Sequence, residues 1–313
     1  MSIGFIFPGQ GSQAVGMGSD LAKAYPSAKA VFAEVDDALG QKLSTLMWQG
    51  PENELTLTEN AQPALMAVSL AAIRVLREKG VQLATAVAYV AGHSLGEYSA
   101  LAAADAISLS DTARLLKTRG RAMQQAVPVG AGAMAALLGA DLAQAQELAK
   151  AASDGEVCEA ANDNAPGQVV ISGTKAAIDR AIALAPKFGA RRAVLLPVSA
   201  PFHCTLMQPA AEAMRDALTA ITVKTPTVAL IANVLAAPLT DPDEIRARLV
   251  EQVTGRVRWR ESMLYLQSQG VSTVYEVGAG RVLSGIARRF DGLEAKSAGT
   301  PEEIEAAATA LVA

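Results

Sequence analysis

Residues 92–98 read Gly-His-Ser-Leu-Gly-Glu-Tyr, and the 313-residue chain contains only two histidines, His93 and His203. Gly-x-Ser-x-Gly is the signature of a nucleophile elbow, where a strand enters a tight turn and leaves it as a helix. The turn needs glycines because its backbone is strained and neighbouring side chains would clash, and it lifts the serine oxygen clear. The flanks have the required order. Ala86 to Ala91 is a short, almost wholly apolar run, as in a buried parallel strand. Glu97 to Ala104 is rich in alanine and leucine and reads as helix.

A serine hydroxyl is a poor nucleophile until a base takes its proton, and at neutral pH the usual base is histidine. His93 adjoins the serine on a sharp turn, so its ring is expected to point elsewhere. By elimination, Ser94 is the expected nucleophile and His203 its base.

Composition removes several other classes. A formal charge of −4 argues against a nucleic-acid binder, which carries a basic excess. Cys158 and Cys204 make neither a disulfide framework nor a metal-ligand spacing, which points to a reducing cytoplasm. With two histidines and no paired cysteine motif, a catalytic zinc is not expected. Met1 to Phe7 lacks the basic n-region of a signal peptide. The apolar stretch 64–76 is closed by Arg74 and Arg77 well short of a membrane span. The expectation is a cytoplasmic protein with no metal, cofactor, nucleic acid or membrane partner.

Along the chain, Ile3–Phe7 is a strand running into Pro8-Gly9-Gln10-Gly11-Ser12-Gln13. Gly9, Gly11 and Ala14 match the dinucleotide fingerprint formally, but that motif needs a second strand with an acid about 20 residues on. Ser27 to Met47 reads instead as helix, so the loop's glycines suit close approach to something else. A long helix follows, with Leu65, Val68, Ala72 and Val75 on one face and Gly80 past its end. From Ala133 the order becomes βαββαβ: strands at 133–138, 157–161, 168–172 and 192–197, with helices capped by Asp141 and Thr174. Then come a helix from about Thr205, a strand near 228–232, helices near 243–253 and 259–268, and a strand at 273–277. Gly278-Ala279-Gly280 before a helix reads as a plain turn in preference to a phosphate loop.

Ser110-Asp111 is read as the cap of a helix running to about Val127. Leu115, Leu116, Arg119 and Met123 form its apolar stripe; Arg114, Thr118, Arg121 and Gln125 form a polar face. Arginine on a buried stripe is costly unless an anion meets it, and its planar fork matches a carboxylate. Two other readings stay open for Arg119: an internal ion pair, or snorkelling to water. Serine, histidine and buried arginine together suggest acyl transfer from a substrate that carries its own carboxylate.

Pro-Gly-Gln-Gly-Ser-Gln (8–13), Gly-His-Ser-Leu-Gly-Glu-Tyr (92–98), Arg119-Gly120, Ala161-Asn162, Pro166–Val170, Pro201-Phe202-His203 and Glu276-Val277-Gly278 follow in order along nearly the whole chain. In these motifs it resembles the malonyl-CoA:acyl carrier protein transacylases, free-standing enzymes of bacterial type II fatty acid synthesis. The resemblance implies an acylated Ser94, His203 as general acid/base, and Arg119 as clamp on the malonyl carboxylate. It also implies an oxyanion hole from the amides of Gln10 and Leu95, and a Gln252 main-chain carbonyl that orients the histidine in place of an acid. Gln62 and Asn162 match pocket-lining positions, though both also suit cap or loop roles. Phe202 looks like the malonyl-selective form of its segment, leaving little room for an α-methyl branch, and equally suits core packing.

The expected fold is α/β: a hydrolase-like large domain with a mainly parallel sheet, residues 1–128 and 199–313, and an inserted ferredoxin-like subdomain, residues 129–198. The expected partners are malonyl-CoA and acyl carrier protein, the expected state a monomer. A polyketide-serving acyltransferase and a serine hydrolase or thioesterase are the alternatives.

Overall fold

Phe5 and Phe7 point to one side of the first strand and Ile6 to the other; all three are buried, the two phenylalanines in one part of the core and Ile6 in another. A strand apolar on both faces belongs inside a sheet covered on both sides. The computed structural model, which describes residues 2–312, has that arrangement; Met1 and Ala313, the outer limits of the expected large domain, lie outside the described residues.

The strands are β1 (Ser2–Phe7), β2 (Tyr89–Gly92), β3 (Gly132–Leu138), β4 (Cys158–Ala165), β5 (Gln168–Thr174), β6 (Arg192–Leu195), β7 (Leu230–Ala232), β8 (Ala237–Leu239), β9 (Val271–Val277) and β10 (Glu294–Ala298). The larger sheet runs β10-β9-β1-β2-β7-β8, parallel except for β8, which turns back on β7. A separate antiparallel sheet runs β4-β5-β3-β6 and carries its own core, including Leu137, Leu148, Ile171 and Ile178. The fold is thus mixed α/β, with one parallel-dominated sheet and one antiparallel sheet.

The two sheets meet close to the elbow. Asn162 on β4 bridges Val257, with Asp163 N donating to Val257 O and Val257 N to Ala161 O, both at 2.9 Å. Buried Asp163 also takes Arg260 at 2.8 Å. Over the large sheet, the helix Thr58–Glu78 packs against the helix Leu109–Ala126. The expected face of the first helix is buried, and so are Ala64, Met66, Ala71 and Ile73 around the rest of its circumference. Among the described residues no helix is long and apolar enough to cross a membrane, and no cluster of three His, Cys, Asp or Glu could hold a metal ion.

Several local expectations need correction. Ser27 to Met47 is two helices, Pro26–Leu39 and Leu43–Gln49, interrupted at Gly40, whose φ of 58° takes the chain out of the right-handed helix. The strand before the elbow is shorter than the apolar run, because Leu83–Ala86 forms a helical turn. The cap of Leu109–Ala126 is Ser108, whose Oγ accepts from Asp111 N at 3.1 Å. The turn expected at Gly278–Gly280 is present, and buried Glu276 occupies the following helix N-terminus, accepting from Leu283 N and Ser284 N at 3.0 and 2.7 Å.

Candidate active site

The elbow is built by close backbone packing. A Cβ on Gly92 would lie 1.9 Å from the Gly96 carbonyl, and one on Gly96 would lie 2.3 Å from Phe7 O. Both positions therefore admit only glycine. Ser94 between them has φ 53°, a left-handed conformation that costs a non-glycine residue free energy and aims its side chain off the turn. Asn233, at the end of β7, braces this strain: its Oδ1 accepts from Ser94 N at 2.8 Å and its Nδ2 donates to Gly92 O at 2.7 Å.

Ser94 Oγ lies 2.7 Å from His203 Nε2. The other ring nitrogen, Nδ1, faces two main-chain carbonyls, Gln252 O at 2.9 Å and Gly255 O at 3.1 Å. Carbonyls only accept, so they fix the proton on Nδ1 and leave Nε2 to receive the serine proton. Burial, and then the positive charge of Arg119, depress His203 to about 3, so its imidazole is neutral at pH 7. His93 points away, its Nε2 2.8 Å from Asn164 Oδ1 and its ring 5.4 Å from that of Trp259.

Arg119 is 1% exposed, so it does not snorkel. Nη1 donates to Gln62 Oε1 at 2.9 Å; Nη2 donates to Gln252 Oε1 at 2.8 Å and to Ser94 Oγ at 3.1 Å. The guanidinium lies 5.7 Å from the Tyr98 ring centre. Its direct partners are neutral: among the described residues no carboxylate forms an ion pair with it, and the buried Nε has no hydrogen-bond partner. Burial lowers its pKa, against the opposing pull of Tyr98 and Glu97. A buried cation held by neutral amides beside a serine hydroxyl is chemically suited to meet an anionic group.

The remaining expected residues are spread around this centre. Gly9 brings the Gln10 loop against the elbow, since a Cβ there would lie 2.8 Å from His93 O; Gln10 Nε2 is 3.5 Å from Thr58 Oγ1. Leu95 caps the helix Gly96–Ala103, where main-chain N–H groups lack intrahelical acceptors. Phe202, 8% exposed, belongs to the main core. Asn162 sits on β4 in the bridge to Val257, two residues from Gly255.

Reading the sequence missed three contributors. Glu97 is the one charged residue in a buried helix whose other residues are Gly, Tyr, Ser, Leu and three Ala, and a lone acid in such a run was a signal available beforehand. Asn233 terminates an apolar strand, a weaker cue. The side chain of Gln252, as distinct from its carbonyl, gave no sign at all, because its partners are about 130 to 160 residues away along the chain.

A strained serine beside a neutral imidazole defines a serine acyl-transfer enzyme. A family model described as an acyl transferase domain matches residues 4–299. The chain is 47% identical to the malonyl CoA-acyl carrier protein transacylase of Escherichia coli K12, over 97% of both chains. Its fold superposes on the crystal structure of acyl-carrier-protein-S-malonyltransferase from Bartonella henselae with a TM-score of 0.98, 54% identity and complete coverage of both chains. A malonyl-transacylase solved in complex with its type II PKS acyl-carrier protein gives a TM-score of 0.95, 41% identity, and coverage of 99% of this chain and 100% of that one. The chain belongs to the acyl transferase family and, within it, to the malonyl CoA-acyl carrier protein transacylases.

Proposed function

We propose that this protein moves a malonyl group from malonyl-CoA to the phosphopantetheine thiol of an acyl carrier protein, in two half-reactions through a malonyl ester on Ser94. As Ser94 Oγ attacks the thioester carbonyl, its proton passes to His203 Nε2. The C–S bond then breaks, and His203 returns the proton to the departing CoA sulfur. The carrier-protein thiol reverses these steps, giving up its proton to His203 and leaving Ser94 free. Thioester is exchanged for thioester, so the overall equilibrium is near balance.

The observation that carries this reading is Arg119, buried with no anionic partner among the described residues, with Nη2 3.1 Å from Ser94 Oγ. A malonyl ester on Ser94 brings a carboxylate within reach of the guanidinium fork. Gln62 would help hold that fork, and the amides of Gln10 and Leu95 would receive the oxyanion. Phe202 and Asn162 would line the acyl pocket, Phe202 opposing an α-methyl branch. A general esterase or thioesterase has no need of such a cation, which disfavours the hydrolase alternative.

The architecture suits a hydrolase-like large domain, residues 1–128 and 199–313, with a ferredoxin-like insert, residues 129–198. In support, the insert's strand order β4-β5-β3-β6 is that of a split βαβ sheet. We assign the protein to fatty acid synthesis in the cytoplasm, acting as a monomer. Incubation with malonyl-CoA followed by intact-protein mass spectrometry tests the central claim: one malonyl mass should appear, located on Ser94 by peptide mapping. Absence of that adduct would overturn it.

A further inference from the structure

Glu97 takes no part in the reaction above, yet it is 1% exposed and lies in the first turn of the helix that follows Ser94. Every group that bonds its carboxylate is a donor: Gln252 Nε2 on Oε2, and Asn233 N on Oε1 at 3.3 Å. Burial pushes the carboxyl up to about 8, against the pull of these two hydrogen bonds and the Arg119 charge. A carboxylate retained in such a place needs a reason beyond stability.

Gln252 supplies the reason. Its Nε2 also donates to Ser94 O at 2.9 Å, its Oε1 accepts from Arg119 Nη2 at 2.8 Å, and its main-chain O accepts from His203 Nδ1 at 2.9 Å. One residue thus touches nucleophile, base and guanidinium. A glutamine amide has nearly the same shape either way round, and its neighbours alone decide which end carries the oxygen. Turned over, Gln252 would press an NH2 against Arg119 and an oxygen against the Glu97 carboxylate and Ser94 O. An ionised Glu97, which only accepts hydrogen bonds, forbids that turn; the neutral acid, which burial favours below about 8, has a proton to donate and permits it.

We propose that Glu97 is a positioning residue: it locks the Gln252 amide so that its oxygen holds Arg119 beside Ser94, and so sets the preference for an acyl donor carrying a carboxylate. This rests on the malonyl-transfer reading above. An acetyl donor makes no use of the guanidinium, so loss of the lock weighs on malonyl transfer selectively.

The test is single-turnover acylation of Ser94 by malonyl-CoA and by acetyl-CoA at about pH 9, where Glu97 is ionised, alongside thermal melting. Glu97→Gln keeps the shape but places an NH2 against either Gln252 or Asn233. Its malonyl-to-acetyl rate ratio should fall by about tenfold or more, the scale of misaligning an arginine fork. A ratio within about twofold of wild type, or an equal slowing of both donors with a lowered melting temperature, overturns the proposal.

Should that variant fail to fold, Gln252→Met and the pair Glu97→Met/Gln252→Met remove donor and acceptor together. The pair should show the same ratio as Gln252→Met alone; a further drop overturns the proposal, because Glu97 would then act by a route other than Gln252. Wild-type protein that loads no malonyl overturns the functional reading as well. Malonyl loading by wild type with unchanged ratios in the variants overturns this inference alone.

Discussion

Ser94 Oγ and His203 Nε2 meet at 2.7 Å, and both residues hold a left-handed backbone, with φ of 53° and 58°. Two strained residues, 109 positions apart, thus lie at the two ends of one hydrogen bond. Strain of this kind costs about 1–3 kcal/mol per residue and survives only where the surroundings over-determine it. Here the tight glycine packing, Asn233 and the carbonyls on Nδ1 do so. The cost is maintained because it aims both side chains at one point.

Ser94→Ala and Ser94→Gly should both fold and neither should gain a malonyl mass. The glycine variant should be the more stable by about 1 kcal/mol, since only it relieves the positive φ. Chemical denaturation of the two proteins measures this difference; equal midpoints would mean that Ser94 is unstrained.

Gly92→Ala should be far more damaging than either, although it removes no functional atom. The new Cβ would lie 1.9 Å from the Gly96 carbonyl, so strand and helix must separate. A loss of about 3 kcal/mol or more is expected, with no soluble active protein at 37 °C. Yield and melting temperature report it.

His203→Ala should slow both half-reactions by roughly 10²–10⁴, the usual scale for removing a general base. The depressed pKa adds a pH signature. The unfolded chain takes up a proton near 6.5, whereas the folded site refuses it until about 3, so stability falls as pH drops through that window. His203→Gln should flatten this acid limb, leaving the smaller contribution of buried His93, whose pKa burial also lowers. In wild type, Ser94 acylation should stay level from pH 7 to 5; a tenfold fall per unit below 6.5 would contradict the assignment of a strongly depressed base.

Arg119→Ala should reduce malonyl transfer by about 2–5 kcal/mol in apparent transition-state stabilisation, while acetyl transfer suffers far less. Arg119→Lys should not restore the malonyl rate, because an ammonium cannot bond Gln62, Gln252 and a carboxylate in one plane. Parallel kinetics with the two donors decide the matter, and equal losses would count against the clamp.

Carrier proteins are usually acidic, and this chain is itself net negative, so docking requires a local basic surface. Several basic side chains are already paired: Arg114 with Asp111, Lys117 and Arg121 sharing the single carboxylate of Glu59, Arg258 with Glu261, and Arg260 with Asp163. The pairs Arg191-Arg192 and Arg288-Arg289 are exposed. Reversing either docking pair to Glu should slow transfer to the carrier protein, less so at high salt, and leave acylation by malonyl-CoA unchanged. A flat response across a salt series for both pairs would show that docking is mainly apolar.

Local chemistry in the sequence was enough for the elbow and for both of its principal residues. Gly92 and Gly96 announce a turn that only glycine can make, the apolar run and the alanine-rich stretch supply its arms, and only one histidine besides the serine's own neighbour was available. The alternation of strands and capped helices from Ala133 to Leu195 was equally legible, because period and caps are short-range signals. Arg119 stood out as a charge on a buried stripe, but the sequence could not say what met it.

Tertiary structure alone decided that neutral amides meet it, that Gln252 joins Ser94, His203, Arg119 and Glu97, and that Asn233 braces the elbow from β7. These contacts depend on strand order in the parallel sheet and on the docking of β4 against Val257. Parallel pairing brings together segments far apart in the chain, and no local period encodes which of them become neighbours.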